Sequence, residues 1–153
     1  MISFKFPDGN AFKIQGLSEL KDTAPLMGRI AELLKAYVDE NFEQEGRPKA
    51  WQPLSKLYGE QKAQERPGSK ILHASGMLKR SIQIASSDNF AKVSTNKVYA
   101  RIHHFGGIIR SRKGKALKIG ITIPARPFMT ITREDTEEIY TEIQNFVKKK
   151  LGL

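Results

Sequence analysis

A chain of 153 residues, 39% hydrophobic and 27% charged, has the composition of an ordinary folded domain, which excludes wholesale disorder and leaves room for one core rather than two. Cysteine is absent and histidine occurs three times, so thiol nucleophiles, disulfides, iron–sulfur clusters and thiolate zinc sites are excluded and imidazole chemistry is thinly supplied. Lys and Arg outnumber Asp and Glu by 26 to 16, a net charge of +10, and such a field favours polyanions or acidic protein surfaces as partners.

The opening stretch alternates Ile2, Phe4 and Phe6 with polar residues, turns at Pro7-Asp8-Gly9-Asn10, and alternates again at Phe12 and Ile14, which predicts a β-hairpin over residues 1–16. A long helix over 23–45 follows, with Thr23 as its cap and Pro25 in the tolerated first turn. Met27, Ile30, Leu34, Tyr37, Val38 and Phe42 recur at helical spacing and make one apolar stripe. Between Gly46 and Ser69 three prolines and many polar residues predict a loop around the lone Trp51, then a short polar helix from Leu54 to Gln64. Trp51 itself is either a core contact or an anchor for a subunit interface. Ser75 and Gly76 can open a short helix that delivers Leu78 to the core, and the strand Ser81 to Ala85 pairs across Asp88-Asn89 with a strand from Phe90 to Thr95.

A third hairpin is predicted after residue 107, with a basic tip and Ile119, Ile121 and Ile123 alternating along its return strand; Pro124 and Pro127 then end regular pairing. The C-terminal helix, 132–151, is the clearest element. Thr132 caps it, Glu134, Asp135, Glu137 and Glu138 crowd its first turns, Lys148 to Lys150 its last, and Gly152 stops it, all complementing the helix dipole. Its stripe is Ile139, Ile143, Phe146, Val147 and Leu151. The fold class expected is α+β: one domain over 1–153, an antiparallel sheet built from hairpins packed against the long first helix and the C-terminal helix, with a β region and short helices over 51–131. No apolar run approaches the roughly 20 residues that a bilayer requires, and no signal-peptide pattern opens the chain. The expectation is a soluble protein made in the cytoplasm, without a membrane partner.

The segment Tyr99-Ala100-Arg101-Ile102-His103-His104-Phe105-Gly106-Gly107 is the first candidate for chemistry. Adjacent histidines point to different faces of a helix or strand, and Asp88 is the only carboxylate between Glu65 and Glu134, so neither a shared metal nor a His103 hydrolase is well supplied. Gly106-Gly107 lacks the spacing of a phosphate-binding loop and reads as a turn that needs positive φ. No serine sits in a nucleophile elbow. We therefore expect no enzymatic activity, no cofactor and no metal. The basic stretch says more. Between Asp88 and Glu134 ten cations meet no acid, and five of them, Arg110, Arg112, Lys113, Lys115 and Lys118, crowd the third hairpin. So one-sided a tip favours a counter-charged partner, either DNA backbone or an acidic protein rim. A basic protein binding nucleic acid without sequence preference is the alternative function, since a recognition helix and an aromatic stacking row are both missing.

Four motifs in order, Trp51-Gln-Pro53-Leu-Ser, Ser75-Gly76-Met-Leu78-Lys-Arg-Ser-Ile, Val93 to Gly107, and Ile123-Pro124-Ala-Arg126-Pro127-Phe128-Met, resemble the phage virion morphogenesis family, the tail-completion proteins of Mu-like and P2-like tailed phages. The resemblance covers about two thirds of the chain. It implies a structural virion protein, made in the bacterial host cytoplasm, that acts at the head-proximal end of the tail as a homo-oligomer, in an expected hexameric ring. Its partners would be tail tube and head–tail connector proteins, with non-specific DNA contact available to the basic hairpin. Tyr99, His103, Phe105, Gly106 and Gly107 fall on the family's characteristic stretch, as do Pro124, Arg126, Pro127 and Phe128. A glutamine is common in the family where His104 stands. Joined to the residue pattern, this reading makes the histidine segment a structural turn in which Tyr99 and Phe105 bury, the glycines reverse the chain, and Phe128 enters the core.

Overall fold

The computed structural model describes residues 22–109 and 120–152. The expected N-terminal hairpin, Ile119 and the basic residues Arg110, Arg112, Lys113, Lys115 and Lys118 lie outside them. In chain order the elements are α1 (Ala24–Glu43), α2 (Lys56–Glu65), α3 (Met77–Arg80), β1 (Ile82–Ser87), β2 (Phe90–Thr95), α4 (Ala100–Phe105), β3 (Gly107–Ile109), β4 (Ile121–Ile123) and α5 (Arg133–Leu151). The fold is α+β, with two two-stranded antiparallel ribbons, β1–β2 and β3–β4, among the described residues.

Helix α1 lies against β1, β2 and α5. Because it is covered on two sides, its apolar stripe is wider than a single seam: Leu26, Ala31 and Leu33 are buried beside Ile30, Leu34, Tyr37, Val38 and Phe42, while Met27 is only half-buried. Thr23 does not cap α1 through its side chain. Its hydroxyl donates instead to the carbonyl of Asp88, tying the helix start to the β1–β2 turn. That ribbon pairs in the register Ile82↔Thr95 through Ser87↔Phe90, and Ile82 and Val93 on one face reach the core. Leu78 arrives there from α3, as its spacing predicts.

Helix α5 carries the expected capping box: the Thr132 hydroxyl accepts from the Asp135 amide at 3.2 Å, and the Asp135 carboxylate accepts from the Thr132 amide at 2.9 Å. It ends at Gly152 in the left-handed region. Ile139 and Ile143 are buried and Phe146 and Val147 half-buried, but Leu151 is exposed, because the last turn of α5 has run past the core.

A polar clamp joins these helices. Asn41, fully buried on the apolar face of α1, donates to the carbonyls of Phe128 at 3.1 Å and Thr130 at 2.8 Å, fixing the extended chain that leads into α5. Its side-chain oxygen accepts from Arg47 Nε at 3.0 Å. The Arg47 guanidinium then grips the buried Asp135 carboxylate with two bonds of 3.0 and 2.9 Å. Tyr37 sits over this pair, its hydroxyl donating to Glu138 at 2.9 Å. Burial and the adjoining Glu138 and Asp135 carboxylates push the Tyr37 phenol far above its ordinary pKa. Removing one partner of such a pair leaves the other charge buried and uncompensated. Replacing Arg47 by Met is therefore expected to lower unfolding stability by about 3–5 kcal/mol in urea titrations, whereas replacing the exposed Arg133, paired at the surface with Glu137, should change it by less than about 1 kcal/mol.

Candidate functional site

The second of the four motifs is joined to the third, and three of the four meet around Phe128. Its ring is fully buried and packs 5.3 Å from Phe42 and 5.2 Å, edge-on, from His104. Trp51 packs edge-on to Phe42 at 5.9 Å and donates from its indole nitrogen to the Pro127 carbonyl at 3.2 Å. Of the two readings open to it, core contact is the one observed, with Trp51 buried. Arg126 is buried as well, and its guanidinium donates to the carbonyls of Gln52 at 3.0 Å and Pro53 at 3.1 Å. The Arg126 amide donates to the His103 carbonyl at 2.8 Å. Thus the segment 123–129 is stitched to the Trp51 loop on one side and to the histidine segment on the other. Ser81 and Thr95 hydroxyls, 2.7 Å apart, connect the second motif to the third. In the second motif Gly76 sits at φ +70, where an added Cβ would lie 2.7 Å from the Arg80 guanidinium.

The histidine segment is a short helix, α4, rather than a bare turn. Its inward face is Ala100 and His104, four residues apart, and both are buried. Phe105 is one step further around the helix and so points outward, 60% exposed; Tyr99, before the helix, is 36% exposed. The expectation that these two aromatics bury is therefore corrected by the helical periodicity. His104 Nδ1 accepts from the Met129 amide at 3.4 Å, and its ring packs against Phe128 and Phe105. His103 turns the other way, edge-on to Tyr99 at 6.0 Å, with its Nδ1 buried and without a hydrogen-bond partner. The two imidazoles therefore do not share a ligand position. Among the described residues no group of three or more His, Asp or Glu side chains is placed to hold a metal, and Asp88 engages Thr23 through its carbonyl.

Gly106 ends α4 at φ +72, where an added Cβ would lie 2.8 Å from the Ala125 amide nitrogen and 2.9 Å from the Ile123 carbonyl. The glycine lets β3 turn tightly against β4 and the Pro124 segment. Gly107, at φ +156, begins β3. β3 and β4 pair in the register Gly107↔Ile123, Ile108↔Thr122, Ile109↔Ile121. The five basic residues of the expected tip thus fall in the connection between two strands that run antiparallel, as the predicted third hairpin requires.

Sequence reasoning missed Arg47 and Asn41, whose distant partners lie 87 to 89 residues away, and Lys62, the one buried residue of α2, whose ammonium donates to the Lys70 carbonyl. One signal was available: Asn41 is a polar residue inside the apolar stripe between Val38 and Phe42.

This network, with its sequence motifs, defines a class. The family model for phage virion morphogenesis matches residues 7–148, and the chain belongs to that family. It is 37% identical over 123 residues to the Mu-like prophage FluMu G protein 2 of Haemophilus influenzae, a match covering 80% of this chain and 77% of that protein. It is 31% identical over 127 residues to the putative capsid assembly protein G of Escherichia phage Mu, covering 80% and 78%. Among solved structures none matches significantly. The chain's role is structural work in the making of phage particles. Among the described residues no helix is long and apolar enough to cross a membrane.

Two outcomes follow from the geometry. Gly106→Ala forces a Cβ into backbone at a left-handed position and should cost about 1–3 kcal/mol in denaturant melts, with Gly68→Ala, where nothing crowds a Cβ, as the control for strain from φ alone. Burial lowers the pKa of both His103 and His104, and the Arg126 guanidinium lowers that of His103 further. In the unfolded chain both titrate near 6.5, so their stabilising neutrality is complete above about pH 6.5 and is lost as pH falls below it. Thermal melts from pH 7.5 to 5 should show that decline, and His104→Gln should reduce its slope.

Proposed function

We propose that this protein completes the tail at its head-proximal end, acting as one domain that assembles into a ring, with six copies the expected number, and presents its basic hairpin to the neck. The observation that carries this reading is the way the family's motifs are used: they build a frame around Phe128 that carries β3 and β4, the strands between which Arg110, Arg112, Lys113, Lys115 and Lys118 fall in the sequence. Trp51, His104, Arg126 and Phe128 of that frame are buried, and five cations are concentrated in one short stretch of sequence. Surface complementarity of this kind needs no bond-making chemistry. A ring multiplies a modest contact by its number of subunits, so a weak interface per copy suffices to hold a tube end of matching symmetry. The partners are tail-tube and connector proteins, and the basic residues meet either their acidic rims or the DNA that passes through. On this reading the protein resides in the virion neck.

A head-side role is the second reading, because the phage Mu relative carries the name of a putative capsid assembly protein. Electron microscopy of particles made without this protein separates the two. Filled heads beside unjoined tails are the expected result, and malformed capsids with normal tails would replace the tail reading by the head one. Within the tail reading, the triple reversal Arg112→Glu, Lys113→Glu, Lys115→Glu is expected to leave far-ultraviolet circular dichroism and the melting temperature unchanged while cutting infectious particles by about a hundredfold or more, since like-charge juxtaposition across an interface costs several kcal/mol. Normal titres from that variant would remove the hairpin from the mechanism. Gel shifts at moderate salt test the nucleic-acid alternative: tight binding of duplex DNA by the isolated monomer would favour it.

A further inference from the structure

The chain holds two surface features that nothing above uses. The first is a groove of about 540 Å³ between α4 and β3, lined by Val98, Arg101, Ile102, Phe105 and Ile108. Its walls are apolar and open: Val98 is 94% exposed, Phe105 60% and Ile108 58%. Arg101 is exposed at its edge and makes no ion pair among the described residues. Contiguous apolar surface with a charged edge marks a place where another protein packs.

The second feature is the start of α5. Residues 134–142 contain five acids, Glu134, Asp135, Glu137, Glu138 and Glu142, and no cation. Asp135 is spent inside on Arg47. Glu134, Glu137 and Glu138, spaced by three and four, are exposed; Glu138 is held by the Tyr37 hydroxyl and Glu142 is paired with Arg29, which leaves Glu134 and Glu137 as the outward acids. Exposed Tyr140 adds aromatic surface one turn further on. The chain thus places its most one-sided acidic block immediately after 45 residues, 89–133, that contain no acid at all. Among the described residues no ion pair joins the cations of that stretch to the acidic stripe except the local Arg133–Glu137 pair.

We infer that these two surfaces are the two halves of one interface between copies of this chain: the groove of one copy, with Arg101 at its rim, receives the acidic face of α5 from the next. Used head to tail, the two patches repeat from copy to copy and close into a ring or continue as a filament. Charge complementarity selects a second copy over an unrelated partner, since the acidic stripe is present at the same concentration as the groove and has the spacing of a helix face. The net charge of +10 does not forbid this. At physiological ionic strength the Debye length is roughly 8 Å, so distant like charges are screened and the apposed patches decide. This is the contact through which the proposed ring would form, and it rests on that reading.

Sedimentation velocity on the full chain across micromolar concentrations tests it. Arg101→Glu and Glu137→Lys each alter an exposed side chain and should leave circular dichroism unchanged. Wild type is expected to self-associate, each single variant to associate roughly tenfold more weakly, and an equimolar mixture of the two to recover wild-type association. Recovery requires that Arg101 of one copy meet Glu137 of another: the carboxylate introduced at the groove of the first variant then meets the ammonium introduced on α5 of the second, while the unaltered Arg101 of the second meets the unaltered Glu137 of the first. An assembly that stops at a dimer would make the contact two-fold and overturn the head-to-tail arrangement. Ile108→Ser should weaken association in every sample. If wild type forms a closed ring that neither single variant disturbs, the interface is elsewhere and the ring reading stands. If wild type remains monomeric at all concentrations, the contact between copies is overturned, and tails made without the protein still decide its place in the particle.

Discussion

The buried pairing of Arg47 with Asp135 is the constraint on which the remaining geometry depends. Asp135 has two tasks with one carboxylate: it caps the first turn of α5 through the Thr132 amide and it neutralises a guanidinium that arrives from the loop after α1. Arg47 in turn orients Asn41, which holds the carbonyls of Phe128 and Thr130. Two charges are taken out of water here, which is costly unless every lone pair and proton is used. The remaining donors are indeed spent, since Arg47 also bonds the Tyr37 carbonyl and reaches Glu40. A clamp of this kind adds little net stability compared with an apolar core of equal volume, but it tolerates one arrangement only. That selectivity sets where α5 begins relative to α1, and therefore where Phe128 sits.

From Phe128 outward the motif residues act as connectors. On one side the Trp51 and Arg126 side chains donate to backbone carbonyls; on the other the His104 imidazole accepts from the Met129 amide and the His103 carbonyl from the Arg126 amide. Loops held by side chains in this way replace the missing ladder partners of a larger sheet. Burial lowers the pKa of both imidazoles, and the Arg126 guanidinium donates to two carbonyls, so these polar residues serve the frame.

How much of this was legible in the chain depends on the range of the interaction. α5 was readable almost to the residue because its cap, its acid-to-base gradient and its terminal glycine are local signals. The β1–β2 hairpin was readable because Asp88-Asn89 separates two β-prone runs. Thr23 misled because a hydroxyl before a proline-started helix reads as a cap, and only the tertiary fold brings the Asp88 carbonyl within its reach. Phe105 and Tyr99 misled because aromatic side chains in an apolar segment suggest burial, while the six-residue helix that follows Tyr99 assigns the inward face to Ala100 and His104. The Arg47 clamp was invisible, as no local pattern relates residues 88 apart, although Asn41 within an apolar stripe was a mark of it.

The same contrast of ranges bears on how such a chain serves in an assembly. Its interior is settled by one polar clamp and one aromatic cluster, so the exterior is free to carry strongly unbalanced charge without jeopardising the fold: 45 successive positions without an acid, then nine with five acids and no base. Surface charge of one sign is normally interspersed with the other to limit self-repulsion. Separation into blocks limits that relief within the monomer: of the described cations between residues 89 and 133, only Arg133 forms an ion pair among the described residues, with Glu137. Relief becomes available when a block meets its opposite on another molecule. A protein whose stability depends on burial and whose charges are arranged in blocks is suited to folding alone and becoming neutral in company, which is the behaviour particle assembly requires of its parts.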